Sequence, residues 1–200
     1  MRRRDRLFPY HLDPKGIGHL PFEEVKAILR GADEMIMSGG RTLLTKVLRG
    51  SRAKDVLEHQ LDKCPVYGCY RDVPEDVVLA KIDRVILDRY LRIEYEYRLP
   101  VLVYTDAGWE IEKETRAVEF LQQFDQLLET TQPPYDMSFL KDRNRGMIFL
   151  LLDKVESTGS PKYLPLLEAW VQIDYRKVQQ RIWQVIHKLT LKSDPQPPGF

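Results

Sequence analysis

Apolar residues recur along most of this chain at the three- and four-residue spacing of helices, and the exceptions are brief. Leu20-Pro21 followed by Glu23 and Glu24 predicts a helix start, with proline early in the first turn and acids at the positive end of the dipole. Val25, Ile28, Leu29 and Ala32 keep the period to about Met37, where Ser38-Gly39-Gly40 interrupts it. A second helix, Arg41 to Leu48, gathers Leu43, Leu44, Val47 and Leu48 on one stripe, and Gly50 stops it. Ser51 is placed to N-cap a third helix carrying Val56, Leu57 and Leu61. After a loop from Cys64 to Asp72, Asp72-Val73-Pro74-Glu75 reads as a capping box with proline in the first turn. The helix it opens repeats Val78, Ile82, Val85 and Ile86.

The period then changes to two. Leu91, Ile93, Tyr95 and Tyr97 alternate with Arg92, Glu94, Glu96 and Arg98, which is a strand pattern. Pro100 breaks the run, and Val101 to Thr105 predicts a second strand before an Asp106-Ala107-Gly108 turn. Helices followed closely by one β-hairpin give a winged helix-turn-helix. The rest reads as helix: about Glu110 to Glu129, about Phe139 to Val155, Tyr163 to about Ile173, and Tyr175 to Leu189. Pro133-Pro134 is the clearest linker, and Thr158-Gly159-Ser160-Pro161 marks a further break. The expected fold is mostly α (α+β): a winged helix with one hairpin wing, then a C-terminal helical region whose last two helices form a HEAT-like pair. In domains this gives a basic arm over residues 1–20, the winged helix over 21–109, a connecting helix over 110–132, the helical region over 133–192 and a disordered tail over 193–200.

Composition narrows the class. With 200 residues, 43% apolar and 30% charged, the chain is an ordinary globular protein long enough to hold a core without disulfides or metal. The longest apolar run, Met147 to Leu152, is far short of a membrane span. Four arginines stand among the first six residues, but Leu7-Phe8-Pro9-Tyr10 is too short for a signal-peptide core. Two cysteines make no disulfide framework, so a reducing cytoplasm is expected.

The net charge of +1 conceals strong local blocks. From Ser38 to Lys54 the chain carries Arg41, Lys46, Arg49, Arg52 and Lys54 and no acid; from Tyr175 to Ser193 it carries Arg176, Lys177, Arg181, Lys188 and Lys192 and no acid. Glu110 to Glu129 has six acids against Lys113 and Arg116. Such blocks are either solvated helix faces or footprints for phosphates and charged partners.

Motifs for catalysis are missing. The chain has no Gly-x-x-x-x-Gly-Lys-Ser/Thr loop, no His-Glu-x-x-His and no Gly-x-Ser-x-Gly, and Gly16-Ile17-Gly18 lacks the third glycine of a dinucleotide fingerprint. Cys64 and Cys69 have no second pair to complete a zinc site and read as loop or core thiols. No enzyme activity, cofactor or metal is expected.

The informative stretch is GGRTLLTKVLRGSRAKDVLE, then PVYGCYRD, then a helix, then YLRIEYEYRLPVLVYTDAGW. This order resembles the RQC domain, the winged helix that follows the motor in RecQ-family DNA helicases, and the whole chain is most similar to stand-alone bacterial RQC-minor DNA-binding proteins. Two things depart from the helicase pattern: the motor and the cysteine-rich zinc module are both missing. The resemblance implies DNA binding without unwinding by this chain.

The resemblance makes the Arg49-Gly50-Ser51 turn the main phosphate clamp. Glycine lets the backbone approach a phosphate, Ser51 at a helix start offers amide protons and a hydroxyl, and Arg41, Lys46, Arg49, Arg52 and Lys54 add counter-charge. A plain N-cap role for Ser51 is the alternative. The resemblance also puts an aromatic at the wing tip: Tyr97 stacks on an end base pair with Arg98 as its phosphate partner, or else continues the buried strand face as Tyr95 does. Tyr67 is expected to pack the Tyr-Gly loop, with a base contact as the alternative, and Arg71 contacts phosphate or pairs with Asp72 or Asp76. The leading expectation is a protein of the cytoplasm and nucleoid that binds duplex ends, forks or junctions in replication, recombination or repair, beside a helicase or other repair protein and away from membranes. The alternatives are a sequence-specific winged-helix transcription regulator, or a DNA-tethered adaptor whose C-terminal helices, with Trp170 and Trp183, dock a protein; core packing is the competing role for both tryptophans.

Overall fold

The structure, a computed structural model, describes residues 11–193. The arginines of the first six residues and the tail beyond Ser193, expected as a basic arm and a disordered end, lie outside the described residues. Among the described residues the helices are α1 (Phe22–Asp33), α2 (Arg41–Leu48), α3 (Lys54–Glu58), α4 (Glu75–Leu87), α5 (Asp106–Thr130), α6 (Arg145–Thr158), α7 (Leu164–Val171) and α8 (Arg176–Ser193), with one antiparallel hairpin, β1 (Leu91–Glu96) and β2 (Leu99–Tyr104). None of these helices is long and apolar enough to cross a membrane. The chain divides into two compact units between Glu112 and Lys113, inside α5.

In the first unit the predicted stripes become one core. Ile28 and Leu29 of α1, Leu44 and Leu48 of α2, Ile82 and Val85 of α4, and Leu102 of β2 are fully buried together. α1 ends at Asp33 rather than near Met37, because residues 34–38 turn and Met37 adopts a left-handed φ of 64°. The turn sends Met37 N–H to the Leu102 carbonyl and the Gly39 carbonyl to Leu102 N–H, at 2.9 and 2.8 Å, so this segment lines the open edge of β2. That pairing explains why Pro100 sits inside β2 instead of breaking it. Leu102 directs its N–H to Gly39 and away from β1, and Pro100, two residues earlier, therefore lacks no bond to β1.

Local signals moved at four further places. The chain from Asp106 to Gly108 is the first turn of α5, not a separate turn: Thr105 Oγ1 accepts from Gly108 N–H at 3.2 Å as its cap. Gly108 is needed there because a Cβ would lie 1.9 Å from the Tyr90 carbonyl oxygen. The capping box at Asp72 does not form; Pro74 is itself the cap and Glu75 the first helical residue, which leaves Asp72 two residues too early. Ser51 is not the cap of α3 either, since Ala53 holds that position and the Ser51 hydroxyl oxygen accepts from Ala53 N–H at 3.3 Å. α3 then ends at Glu58, and a left-handed Gln60 puts Leu61 in a separate 3-10 turn, Leu61–Lys63.

The second unit is helical. α8 packs on both α6 and α7, and Trp170 is fully buried with its ring edge-on to Phe124 at 5.9 Å and its Nε1–H donating to Asp174 at 2.7 Å. Trp183 is not in the core: it is 54% exposed on α8. α6 starts at Arg145, not near Phe139, because Ser138–Leu140 forms its own 3-10 turn and Asn144 is the cap of α6, its Oδ1 accepting from Gly146 and Met147 N–H at 2.9 and 3.3 Å. Asn144→Ala is expected to cost about 1 kcal/mol and to lower the melting midpoint by about 2–4 °C in a calorimetric scan.

Candidate nucleic-acid interface

The end of α2 organises the first element of the site. Gly50, at a φ of +71°, closes the helix: Gly50 N–H returns to the Val47 carbonyl at 3.0 Å and Ser51 N–H to the Lys46 carbonyl at 2.9 Å. These bonds use the amide protons of Gly50 and Ser51 themselves. The carbonyls of Val47 and Leu48 also accept from Gly68 and Tyr70 N–H at 3.0 and 2.8 Å, which docks the Tyr-Gly loop on the same helix end. The two motifs therefore meet: a Cβ on Gly50 would lie 3.0 Å from the Gly68 Cα. Tyr67 acts as a packer, its hydroxyl donating to the Ser51 carbonyl at 3.0 Å. Tyr70 ties the loop to α1 through Glu24 at 2.9 Å; burial first, and then this carboxylate, push its hydroxyl far above the usual phenol range.

A cleft of about 530 Å³ opens at this junction, lined by Gly50, Arg52, Leu57, Asp62, Tyr67 and Arg71. Val47, Val56, Leu61 and Cys64 form a small core of their own beside it. Arg52 and Arg71 are exposed and form no ion pair with any described residue; Asp62 is the one acid lining the cleft. Neither Asp72 nor Asp76 takes Arg71, and Asp76 is held by Lys15.

The other bases of the run are placed differently. Lys46 holds Asp55 at 2.6 Å, and this hydrogen bond keeps the Asp55 carboxyl below its usual range. Arg49 donates to the Val73 carbonyl at 3.1 Å and pairs with Glu75 at 3.2 Å; Lys54 pairs with Glu58 at 3.4 Å. Arg41 does not join the group. Its side chain is 14% exposed and bound to buried Asp83, which also accepts from Asp13 N–H at 2.9 Å, so it fastens α2 to α4.

The second element is the wing. Glu96 and Leu99 form the last pair of the hairpin, leaving Tyr97 and Arg98 as a two-residue turn. Tyr97 is 98% exposed and held at a φ of +56°, a conformation uncommon for a bulky side chain. Leu99, which the alternating pattern does not single out, is 70% exposed beside it. Its place directly after the tip, ahead of the buried Val101 to Val103, was the available signal. Arg98 is exposed without an ion pair among the described residues, whereas Glu94 is occupied by Arg92 at 2.6 Å.

The RQC domain family matches residues 22–127, more than half of the chain. The chain belongs to this family. RQC domains are non-catalytic, DNA-binding winged helices associated with RecQ helicases. No curated protein and no solved structure matches the chain. The RQC match spans α1 through the hairpin and continues along α5, so both the cleft and the wing fall within it, while α6, α7 and α8 lie beyond it.

Proposed function

We propose that this RQC-family protein recognises duplex ends and forks without catalysis, in the cytoplasm at the nucleoid, beside a helicase or repair enzyme in replication, recombination or repair. Arg52 and Arg71 hold backbone phosphates at the Gly50–Gly68 contact, against which the Arg71 guanidinium lies. Arg49, Ser51, Lys46 and Lys54 border that contact, the three bases with acids beside them. Tyr97 then stacks on an exposed terminal base pair, with Arg98 on the adjoining phosphate and Leu99 against the sugar edge. The observation that carries this reading is the tyrosine standing 98% exposed at the apex of the hairpin: solvent gives an aromatic ring no reason to be there, and an open base pair does. A regulator reading bases with the helix before the wing is disfavoured, because the bases Lys81 and Arg84 of α4 are engaged by Glu24 and Asp88.

The test is a gel-shift panel of closed circular duplex, blunt linear duplex and fork. Forks and linear ends are expected to bind better than closed circles, and equal affinity for all three contradicts end recognition. Salt gives a second check. A footprint of about three to five phosphates predicts a log–log slope of affinity against salt of roughly −3 to −5, and a flat response removes the backbone contacts.

A further inference from the structure

The basic block of α8 splits in two by what it faces. Arg181 and Lys188 turn to α6, where Glu156 takes Arg181 at 2.7 Å and Lys188 at 2.5 Å, and Asp153 takes Arg181 at 2.6 Å. These bases are structural. Arg176 and Lys177 are exposed and form no ion pair with any described residue. With Gln180, Trp183, Gln184 and His187 they make one solvent-facing stripe at helical spacing. α8 contains no acid, and Asp174 just before it is occupied by Trp170 Nε1 and Tyr175 N–H, both at 2.7 Å.

Two features of this stripe have no folding explanation. Arg176 and Lys177 open the helix, where the dipole disfavours cations, and no acid in the first turn offsets them. Trp183 stays 54% exposed in a unit that buries Trp170 completely, although the same helix buries Val178, Ile182, Val185 and Leu189 on its other side. Positive charge without counter-charge calls for a polyanion, and an open indole among amide side chains fits an unpaired base, whose face is free to stack.

We propose that this face of α8 is a second nucleic-acid site, specific for single strands: Trp183 stacks on a base, Arg176 and Lys177 take the backbone, and Gln180 and Gln184 border the base edge. The site shares no residue with the cleft or the wing, and it stands or falls independently of them.

The experiment uses the full chain with Arg52→Glu and Arg71→Glu as its parent, so that failure of the winged-helix reading cannot be mistaken for failure of this one. A fluorescently labelled oligothymidylate of about 15 nucleotides is titrated by anisotropy. The parent is expected to keep binding it. Trp183→Ala, and separately Arg176→Glu with Lys177→Glu, should each weaken that binding about tenfold. Tryptophan emission of the parent should be quenched by the oligothymidylate and not by a closed duplex. Three results overturn the site: a parent that does not bind the oligothymidylate, affinity unchanged in both α8 variants, or competition by polyglutamate as effective as by oligothymidylate of equal charge. The last would assign the face to an acidic protein.

Discussion

With Arg52 and Arg71 both replaced by glutamate, affinity for duplex DNA, ended or closed, should fall by about a hundredfold, or about 3 kcal/mol. These two side chains are the bases that line the cleft, both exposed and without ion pairs among the described residues, although the Arg71 guanidinium rests against Gly50 and Gly68. The Arg52 change should leave the melting midpoint where it is, since surface changes away from packing contacts shift stability by no more than about 0.5 kcal/mol, and the Arg71 change is checked for folding by the same melt. The loss should be uniform because phosphates carry no information about ends. Reversing Arg41 instead would strip buried Asp83 of its partner and unfold the unit before it revealed anything about DNA. Unchanged affinity in the double variant would remove the cleft from the DNA surface. A loss confined to forks would mean that the cleft, and not the wing, senses the end.

Tyr97→Ala should act selectively. Removing one stacked aromatic costs roughly 1–3 kcal/mol, which is about a 5- to 150-fold weakening on blunt ends and forks. On a closed circle the change should be slight, because no terminal pair is offered. Stability should also change little, as the ring touches almost nothing in the free protein. Leu99→Ala, at the other exposed apolar group of the tip, should weaken end binding in the same direction by less. Equal losses on linear and circular DNA would reduce the wing to a general backbone contact and sink end recognition, while leaving Arg52 and Arg71 in place.

Much of the winged helix was legible because its elements are periodic. α2 runs from Arg41 to Leu48 as its leucine stripe and the following Gly50 require, and the change from period four to period two at Leu91 marks the hairpin. Caps were less legible, since they turn on a shift of one or two residues: Ser51 and Asp72 have the right chemistry, but Ala53 and Pro74 occupy the positions. The candidate site was only half readable for a different reason. An acid-free run suggested five unbalanced bases, yet four of them, all but Arg52, meet partners from outside the run, as Asp55, Glu58, Glu75 and Asp83. The Gly50–Gly68 contact is built by backbone hydrogen bonds to Val47 and Leu48, which no side-chain pattern reports. Trp183 reads as core by its chemistry alone; only the phase of α8, fixed by packing on α6 and α7, turns it outward.

The left-handed backbone at Tyr97 sets this hairpin against its own durability. Any residue with a Cβ is strained there by about 1 kcal/mol or more, and glycine is not. A chain shaped only for resistance to heat would close the turn with glycine, and a Tyr97→Gly protein should tolerate more heat while gripping DNA ends less well. If both changes are found, the tyrosine marks the place where this protein trades thermal endurance for use.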